Sequence, residues 1–240
     1  MIVAINQPYW IPYLGYFSLI ASADSFVVMD SVNFSRASWV ARNVIEVGGQ
    51  PRWNTIPIQQ ASQNTPISDL EIDFAQPWRE KTLKTLRHSF KKNSTNTPVF
   101  QMVEEWFEFP EAKLSSFLTN TIEHTLRNIG FSTKIYPSDT SFQKDKIERS
   151  GQEKIIGICR ELDANTYLNL PSGSGLYDAP SFTDSGVELC FLPRLRPETD
   201  DDRFPYRSVL SHLMEVGFAG VGERIEEILF HSKSNGESFG

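Results

Sequence analysis

Short apolar runs flank a helical pattern at the start of the chain. Residues 2–5 form a β-branched apolar run, which is typical of a buried strand. After the loop that follows, Phe17, Ile20 and Ala21 fall on one face of a predicted helix. The apolar run in "SFVVMD" then predicts a second strand that ends in Asp30. This order predicts a βαβ unit with parallel strands and a right-handed crossover.

The middle of the chain changes from a strand pattern to a helical one. The stretch "WVARNVIEVGGQPRWNTIPI" predicts two short strands that turn at Gly48 and Gly49. Pro77 suits a first helical turn, and a four-residue spacing follows it at Trp78, Thr82, Leu86 and Phe90. Residues 99–107 and 113–129 predict two more helices.

Strands and helices alternate again towards the end of the chain. "FSTKIY", "TYLNL" and "VELCFL" predict strands, and helices are expected in "KIIGICREL", "SVLSHLMEVG" and "ERIEEILF". We therefore predict a Rossmann-like α/β fold with a mostly parallel sheet and flanking helices. It would form a single domain over residues 1–232 with a helical insertion at about 76–130, followed by a frayed tail at 233–240.

Composition limits the class of protein. The 240 residues are 40% hydrophobic and 22% charged, which is enough apolar content for a sizeable core. A net charge of -7 argues against a surface that is basic overall, although it leaves a local basic face open. The start lacks a signal-peptide pattern, no apolar run has membrane length, and Cys159 and Cys190 lie in apolar runs. We therefore expect a cytoplasmic protein without a membrane span or disulfide.

The segment "QPYWIPYLGYF" is rich in aromatic residues and joins the first predicted strand to the first helix. Ligands of open α/β sheets bind beyond the carboxyl ends of the strands, so this loop should face the crevice. Gly15 would let a ligand approach the backbone closely, and Tyr13 is assigned a catalytic role. The other candidates for substrate binding are Gln7, Tyr9 and Tyr16. The alternative is that the rings simply cover the core.

Further candidates follow the second strand. Asp30 should lie beside the opening loop, as a general base if desolvation raises its pKa, or as a ligand of sugar hydroxyls without any shift. Arg42 with Asn43 is the expected diphosphate or carboxylate clamp, because a guanidinium offers a bidentate fork. Arg36 is a second arginine of this kind. For both arginines a solvated surface position is the alternative.

The glycine-rich turn "YLNLPSGSGLYD" follows a late strand and can cradle phosphate with backbone N–H groups. It lacks the lysine of a P-loop and the spacing of a dinucleotide fingerprint, so no cofactor such as ATP or NAD is expected. The four histidines show no metal-ligand spacing, so no metal is expected either. The candidates for substrate binding in this turn are Asn169, Gly173, Tyr177 and Asp178.

The predicted helix over residues 79–92 is basic. Its positive side chains could receive the phosphates of a carrier molecule or of transfer RNA, and a solvated helix face is the alternative. They are Lys81, Lys84, Arg87, Lys91 and Lys92.

One short motif has a parallel in the nucleotidylyltransferase superfamily. There, a strand and a loop lead into "HxGH" at a helix start, and the two histidines steady a triphosphate. The matching tetrapeptide here is "YLGY", from Tyr13 to Tyr16. Tyrosine is neutral at pH 7, so ATP activation is not expected to survive on this scaffold.

Seven segments in order make the chain similar to the WbqC-like protein family. They are "INQPYWIPYLGYF", "ADSFVVMDSVNF", "WVARNVI", "WNTIPI", "IGICRELDANTYLN", "SGSGLYD" and "SVLSHLMEVG". The segments span about residues 1–217. The sequence departs from the family's usual form at two places. Asn33 stands where glutamine is common in the family, and "SGSG" replaces the tighter glycine pair of the family. These departures bear on the exact ligand.

The resemblance implies an acyl or aminoacyl transferase in the biosynthesis of surface polysaccharide such as O-antigen. Its substrate would be a nucleotide-linked amino sugar or another diphosphate-bearing small molecule. The alternatives are an ATP-dependent ligase or nucleotidylyltransferase on the same scaffold, and a non-catalytic nucleotide-sugar binding protein. No catalytic residue carries over from the family, so the candidates above depend on their own chemistry and position.

Overall fold

The computed structural model describes residues 1–62, 64–90, 97–142 and 151–234. In chain order the strands are β1 (Ile2–Asn6), β2 (Ser25–Val28), β3 (Arg42–Val47), β4 (Gln50–Thr55), β5 (Lys134–Tyr136), β6 (Thr166–Asn169) and β7 (Glu188–Phe191). The helices are α1 (Leu14–Ala21), α2 (Trp78–Phe90), α3 (Thr97–Glu108), α4 (Leu114–Asn128), α5 (Gly151–Glu161), α6 (Ala179–Thr183) and α7 (Val209–Ser234).

Five parallel strands form the main sheet, in the spatial order β5-β2-β1-β6-β7. The chain runs outward from β1 through β2 to β5 on one side of the sheet. It later adds β6 and β7 on the other side, so the strand order reverses between β1 and β6. The predicted α/β fold with a mostly parallel sheet and flanking helices is confirmed.

Both faces of the sheet are covered, which explains the continuous apolar runs of its central strands. Successive side chains of a strand point to opposite faces. Ala4 packs into a larger core with α1, α3, α4 and α7. Its neighbours Val3 and Ile5 pack into a smaller core with α5 and α6. The apolar run at residues 2–5 is therefore a strand buried on both sides.

β3 and β4 form an antiparallel hairpin outside the main sheet. Its turn is Gly48-Gly49, with φ angles of 61° and 77°, a left-handed conformation that glycine adopts without strain. The predicted hairpin and its turn are confirmed. The hairpin packs beside the loop that follows β1. In this loop the backbone N–H of Trp10 donates a 3.0 Å hydrogen bond to the carbonyl of Trp39, which precedes the hairpin.

The helices follow the predicted pattern closely. α3 and α4 match the helices expected at residues 99–107 and 113–129 to within two residues at each end. α7 contains both predicted C-terminal helices, which Gly217 separates with φ 71° and ψ -174°. The single domain over residues 1–232 stays a prediction, and residues 235–240 of the expected tail lie outside the described residues.

A buried polar network ties β2 to its neighbours at the carboxyl end of the sheet. Asp30 is 3% exposed and accepts hydrogen bonds from the hydroxyls of Ser115 on α4 (2.7 Å) and Ser138 after β5 (2.5 Å). Asp139 is fully buried and forms a 2.5 Å ion pair with Lys154 on α5. This network thereby holds α4, α5 and the segment after β5 to the carboxyl end of β2.

The two carboxyl groups of this network have pKa values displaced in opposite directions. Burial raises the pKa of Asp30, and its serine hydrogen bonds only partly offset that effect. Burial acts in the same direction on Asp139, but hydrogen bonds from Lys154 and Ser31 overcome it and lower the pKa of Asp139. Asp139 is therefore the more readily ionised member of the pair.

Asp139→Asn should lower the free energy of unfolding by about 3 kcal/mol at pH 7, because it leaves the largely buried Lys154 ammonium without its counter-ion. The folded-state pKa of Asp139 lies below the ordinary value of 3.8. The stabilisation is therefore complete above that value and is lost as the pH falls through the folded-state pKa. Urea unfolding at pH 7 and near pH 3 measures this difference.

Asp184→Asn, at an exposed aspartate, is the control for this substitution and should leave stability nearly unchanged at both pH values. A loss for Asp139→Asn that is the same at both pH values would contradict the assignment of the ionised carboxylate to Asp139.

Candidate functional site

The carboxyl ends of β1 and β6 border a cavity of about 430 Å³. These strands are neighbours, but the chain builds the sheet outward from them in opposite directions, so the segments that follow them diverge. Such a switch point is where open α/β sheets bind ligands. The volume falls within the roughly 300–1,000 Å³ that is usual for small-molecule sites. We call it the switch-point cavity.

The switch-point cavity is lined by aromatic rings and amide side chains and by no charged residue of the described chain. The amide groups come from Asn6, Gln7, Asn43 and Asn169. The aromatic residues are Tyr9, Tyr13, Trp39, Tyr177, Phe204 and Tyr206. Such a lining can stack on planar rings and hydrogen-bond hydroxyl or carbonyl groups, but its side chains cannot neutralise a charge.

Tyr13 stands at the start of α1 and forms one wall of the cavity. Its ring stacks on Tyr206, with centroids 4.8 Å apart and an interplanar angle of 15°. Gly15 provides the space for this ring, because a Cβ there would lie 2.5 Å from the Tyr13 ring. Gly15 therefore accommodates a protein side chain, and it does not line the cavity.

The hydroxyl of Tyr13 is a neutral hydrogen-bonding group. It makes no hydrogen bond with another described residue. Burial, followed by the neighbouring Tyr206 and Tyr9, raises the pKa of Tyr13. Burial likewise raises the pKa of Tyr9. Neither side chain is a phenolate at neutral pH, so each can donate its proton in a hydrogen bond.

Tyr16 is fully buried and lies outside the cavity. Its hydroxyl donates a 2.8 Å hydrogen bond to the Gln7 carbonyl, and its ring packs against Tyr9 and Phe26. The side chain of Gln7 makes no hydrogen bond with another described residue. Of the candidates in the opening loop, Gln7, Tyr9 and Tyr13 line the cavity, whereas Tyr16 holds the loop in place.

Asn43 lines the cavity, but its side-chain amide is already hydrogen-bonded to backbone groups of the protein. Nδ2 donates to the carbonyls of Trp10 (2.8 Å) and Ile11 (2.7 Å), and Oδ1 accepts from the Val44 N–H (2.7 Å). Ile11 has a φ of 39°, a conformation that costs a residue with a side chain about 1–3 kcal/mol. The Asn43 amide holds the loop in this conformation.

Asp30 and Arg42 do not line the switch-point cavity, which corrects the expectation that they share one crevice with the tyrosines. Asp30 turns towards α4, where the Ser115 hydroxyl donates to its carboxylate. Arg42 precedes Asn43 on β3, so strand alternation points it to the other side of the hairpin. There its guanidinium carbon lies 4.6 Å from the centroid of the Trp53 ring.

The glycine-rich turn after β6 brings three of its four candidates to the cavity. Asn169 Nδ2 donates to the Tyr177 hydroxyl (3.3 Å), while Oδ1 accepts from the following backbone N–H (2.7 Å). Gly173 gives this amide its space, because a Cβ there would lie 2.6 Å from Asn169 Nδ2. Asp178 instead caps α6 by accepting from the Ser181 N–H (3.1 Å), and it lies outside the cavity.

Residues 204–206 form a wall of the cavity that reasoning from the sequence missed. Phe204 and Tyr206 flank Pro205, and the Tyr206 hydroxyl donates to the Leu195 carbonyl (3.1 Å). The sequence motif that could have predicted this wall is "RFPY", which combines aromatic residues with proline as the opening loop does. The neighbouring stretch "TDDD" is acidic, a composition typical of a polar loop.

Ionic contacts hold this wall in place. Arg207 donates to Glu46 on β3 (2.8 Å), which joins the wall to the hairpin. His212 on α7 is buried, and its Nδ1 lies 2.8 Å from a guanidinium nitrogen of Arg224. Because a guanidinium can only donate, Nδ1 accepts this bond, and Nε2–H donates to Glu198 (3.1 Å).

Other predicted features fall outside the cavity. Lys81, Lys84 and Arg87 lie on α2, and Arg87 forms an ion pair with Glu104 on α3. Lys91 and Lys92 of the predicted basic helix lie outside the described residues. In the described ranges, no group of three His, Cys, Asp or Glu residues is placed to hold a metal ion. No helix in that part of the chain has the length and apolar character needed to cross a membrane.

Comparisons with known proteins place this site in a family context. The model of the WbqC-like protein family matches residues 7–221. The chain is also similar to the uncharacterized protein Rv1507c of Mycobacterium tuberculosis. The two are 25% identical over 197 residues, which cover 79% of this chain and 81% of the relative. No solved structure matches the chain. The matched range includes both the opening loop and the glycine-rich turn.

Asn43→Asp should lower the free energy of unfolding by about 2 kcal/mol or more, because a carboxylate of the same shape would face two carbonyl oxygens without an N–H to donate. Asn128→Asp makes the same chemical change at an exposed helix end, where one bond to the His124 carbonyl is lost. It should cost less than about 1 kcal/mol. Urea unfolding of both variants checks this, and equal losses would contradict the role of Asn43.

Proposed function

Because the chain belongs to the WbqC-like protein family, we propose that it is a group transferase acting on a nucleotide-linked amino sugar. The group transferred is an acyl or aminoacyl group, and the product serves the biosynthesis of surface polysaccharide such as O-antigen. The observation that carries this proposal is the uncharged lining of the switch-point cavity, which combines aromatic rings with amide side chains.

This lining suits the uncharged parts of a nucleotide sugar. Aromatic rings such as Tyr9 and Trp39 can stack on a base or lie against a sugar ring, a contact worth about 1–3 kcal/mol per base. Amides such as Gln7 and Asn6 offer donors and acceptors to sugar hydroxyls. The strand order, numbered along the main sheet, is 3-2-1-4-5. This order also begins the Rossmann sheet, in which nucleotides bind at the same switch point.

The diphosphate of such a ligand would lie against the glycine-rich turn. Residues 171–173 form a short 3-10 turn at the end of β6. The backbone N–H group of Ser172 donates to no other described residue. Unpaired N–H groups at such a turn attract phosphate oxygens without a charged side chain. Ser172 also lines the cavity, so the diphosphate and the rings would belong to one ligand.

The transfer itself is a nucleophilic acyl substitution. The sugar amine attacks the acyl carbon of the donor, a C–N bond forms, and the bond from the acyl carbon to the leaving group breaks. The departing group takes up the proton that the amine loses. Tyr13 has the role of a neutral donor that hydrogen-bonds the carbonyl oxygen as negative charge develops on it.

A nucleotidylyltransferase on the same scaffold is the second candidate, favoured by the strand order and by the position of "YLGY" at the start of α1, directly after the loop that follows β1. The placement of the two tyrosines argues against it. Tyr16 donates to a backbone carbonyl inside the core, and Tyr13 is stacked on Tyr206. Neither is a cation that could steady a triphosphate. Exchange of labelled pyrophosphate into ATP would separate this candidate from the transferase.

Gly173→Ala should weaken binding of a UDP-linked amino sugar about 10-fold, because the added Cβ displaces the Asn169 amide into the cavity. Gly175→Ala is the matched control two residues away, where a Cβ meets nothing within 4 Å. Isothermal titration calorimetry measures binding, and thermal unfolding confirms that both variants fold. If the two variants bind equally well, the ligand does not occupy the switch-point cavity.

Tyr13→Phe should lower turnover about 100-fold with little change in stability, because it removes only a hydroxyl that no described residue binds. Tyr136→Phe removes a hydroxyl far along the sheet and is the control. The assay is mass spectrometry of a UDP-linked amino sugar incubated with an acyl thioester or an aminoacyl-tRNA. Binding of the sugar without any acylation by either donor would favour the non-catalytic binding protein instead.

A further inference from the structure

A second cavity, of about 640 Å³, lies on the other side of the hairpin. Residues of β4 and of α2 form its walls, and Arg42 of β3 reaches into it. We call it the cationic cavity, because its charged lining residues are Arg36, Arg42 and Lys81. No aspartate or glutamate of the described chain lines it. In a protein with a net charge of -7, this segregation of positive charge is a local feature.

The positive groups of this cavity are not neutralised by the protein. Neither Arg36 nor Lys81 forms an ion pair with another described residue. Arg42 donates from Nη2 to the Ala37 carbonyl (3.1 Å), while its buried Nε–H has no hydrogen-bond partner in the described chain. Because the protein encloses Nε, the Arg42 groups that can face a ligand are the terminal guanidinium nitrogens.

Trp78 and several neutral polar residues also line this cavity. Trp78 is 5% exposed, and its indole N–H has no hydrogen-bond partner in the described chain. Hydroxyl and amide groups complete the polar lining, among them Asn54, Thr55 and Gln76. The cavity therefore combines three cations with neutral hydrogen-bonding groups, a combination that recognises oxyanions.

Arg42 is held in a fixed orientation. Its guanidinium packs on the Trp53 ring, which in turn stacks on Trp39 with centroids 5.7 Å apart. A guanidinium held in this way loses little further freedom when it binds. Its planar set of donors fits two oxygens of a phosphate group, which the point charge of a lysine cannot match.

We propose that the cationic cavity is a second binding site, which takes the phosphate groups of a small phosphorylated molecule. Arg42 supplies the oriented donors, and Arg36 and Lys81 supply the remaining charge. This site requires no chemistry in the switch-point cavity and is separate from the nucleotide-sugar site proposed there. If the proposed transferase function also holds, the second site would place a phosphate-bearing donor beside the acceptor, across the wall formed by Trp39 and Trp53.

Titration with inorganic pyrophosphate at low ionic strength tests the proposal, with isothermal titration calorimetry as the readout. One equivalent should bind to the unmodified protein. Arg42→Gln and Lys81→Gln should each weaken binding at least about 10-fold, the loss expected for a contact worth 1.4 kcal/mol. Arg52→Gln is the matched control, because Arg52 lies on the same hairpin, is exposed and does not line the cavity. It should change binding less than about 2-fold.

Two comparisons separate this site from the switch-point cavity. Gly173→Ala should leave pyrophosphate binding unchanged, and Arg42→Gln should leave binding of the UDP-linked sugar unchanged. Lys81→Gln, at a helix position, keeps the test valid if Arg42→Gln fails to fold. Equal binding by Lys81→Gln and Arg52→Gln would overturn the proposal, as would loss of pyrophosphate binding in Gly173→Ala.

The source of the phosphate is resolved by three further ligands. AMP and inorganic phosphate should compete with pyrophosphate, the nucleotide more strongly if the cavity also accepts a nucleoside. A single-stranded oligonucleotide that binds while pyrophosphate and AMP do not would overturn the proposal of a small-molecule site in favour of a nucleic-acid surface.

Discussion

The amide of Asn43 fixes the geometry on which both cavities depend. Its two hydrogen bonds hold the carbonyls of Trp10 and Ile11, and so keep the loop after β1 pressed against the hairpin. The adjoining Trp10 indole donates to Asn54 on β4 (2.7 Å), whose own amide donates to Thr82 on α2 (2.9 Å). A continuous chain of hydrogen bonds therefore links the loop, the hairpin and the first helix after it. Without these hydrogen bonds, neither the loop after β1 nor the hairpin, which form walls of the two cavities, would have a defined position.

The protein separates two kinds of recognition with one hairpin. On one side lie neutral rings and amides, and on the other lie three cations without carboxylates. The net charge of the chain gives no hint of this division, because the acidic residues gather elsewhere, as around Asp200 to Asp202. Charges close to a site determine its chemistry far more than distant ones, which water and salt screen.

Elements with a strong local pattern could be predicted from the sequence. The apolar run of β1, the glycine turn of the hairpin and the periodic helices α3 and α4 all express their structure within a few residues. The position of the crevice followed from the rule for parallel sheets, which needs only the strand–helix order. The resemblance to the WbqC-like family was visible for a related reason, since its segments occur in the order of these elements.

The composition of the site could not be predicted in the same way. Tyr13 and Tyr16 look equivalent in the sequence, yet one turn of α1 places the first beside the cavity and the second in the core. Asp30 follows its strand as expected, but Ser115 of α4, which donates a hydrogen bond to its carboxylate, lies 85 positions further along the chain. The wall at Tyr206 comes from a distant segment that is positioned by Glu46 and Glu198 through Arg207. Such contacts depend on tertiary packing and leave no local signal.

The adjacency of Arg42 and Asn43 has an evolutionary consequence. A substitution at Arg42 can tune the cationic cavity alone, because its neighbour Asn43 points to the other side of the hairpin and holds the loop on which both cavities depend. A single-codon insertion or deletion between Asn43 and the Gly48-Gly49 turn would act differently, because the turn fixes the register of the hairpin. It would turn the guanidinium towards the neutral rings and the amide towards the cations. Relatives with altered spacing between the "RN" pair and the "GG" turn should therefore have diverged in ligand even where every named residue persists.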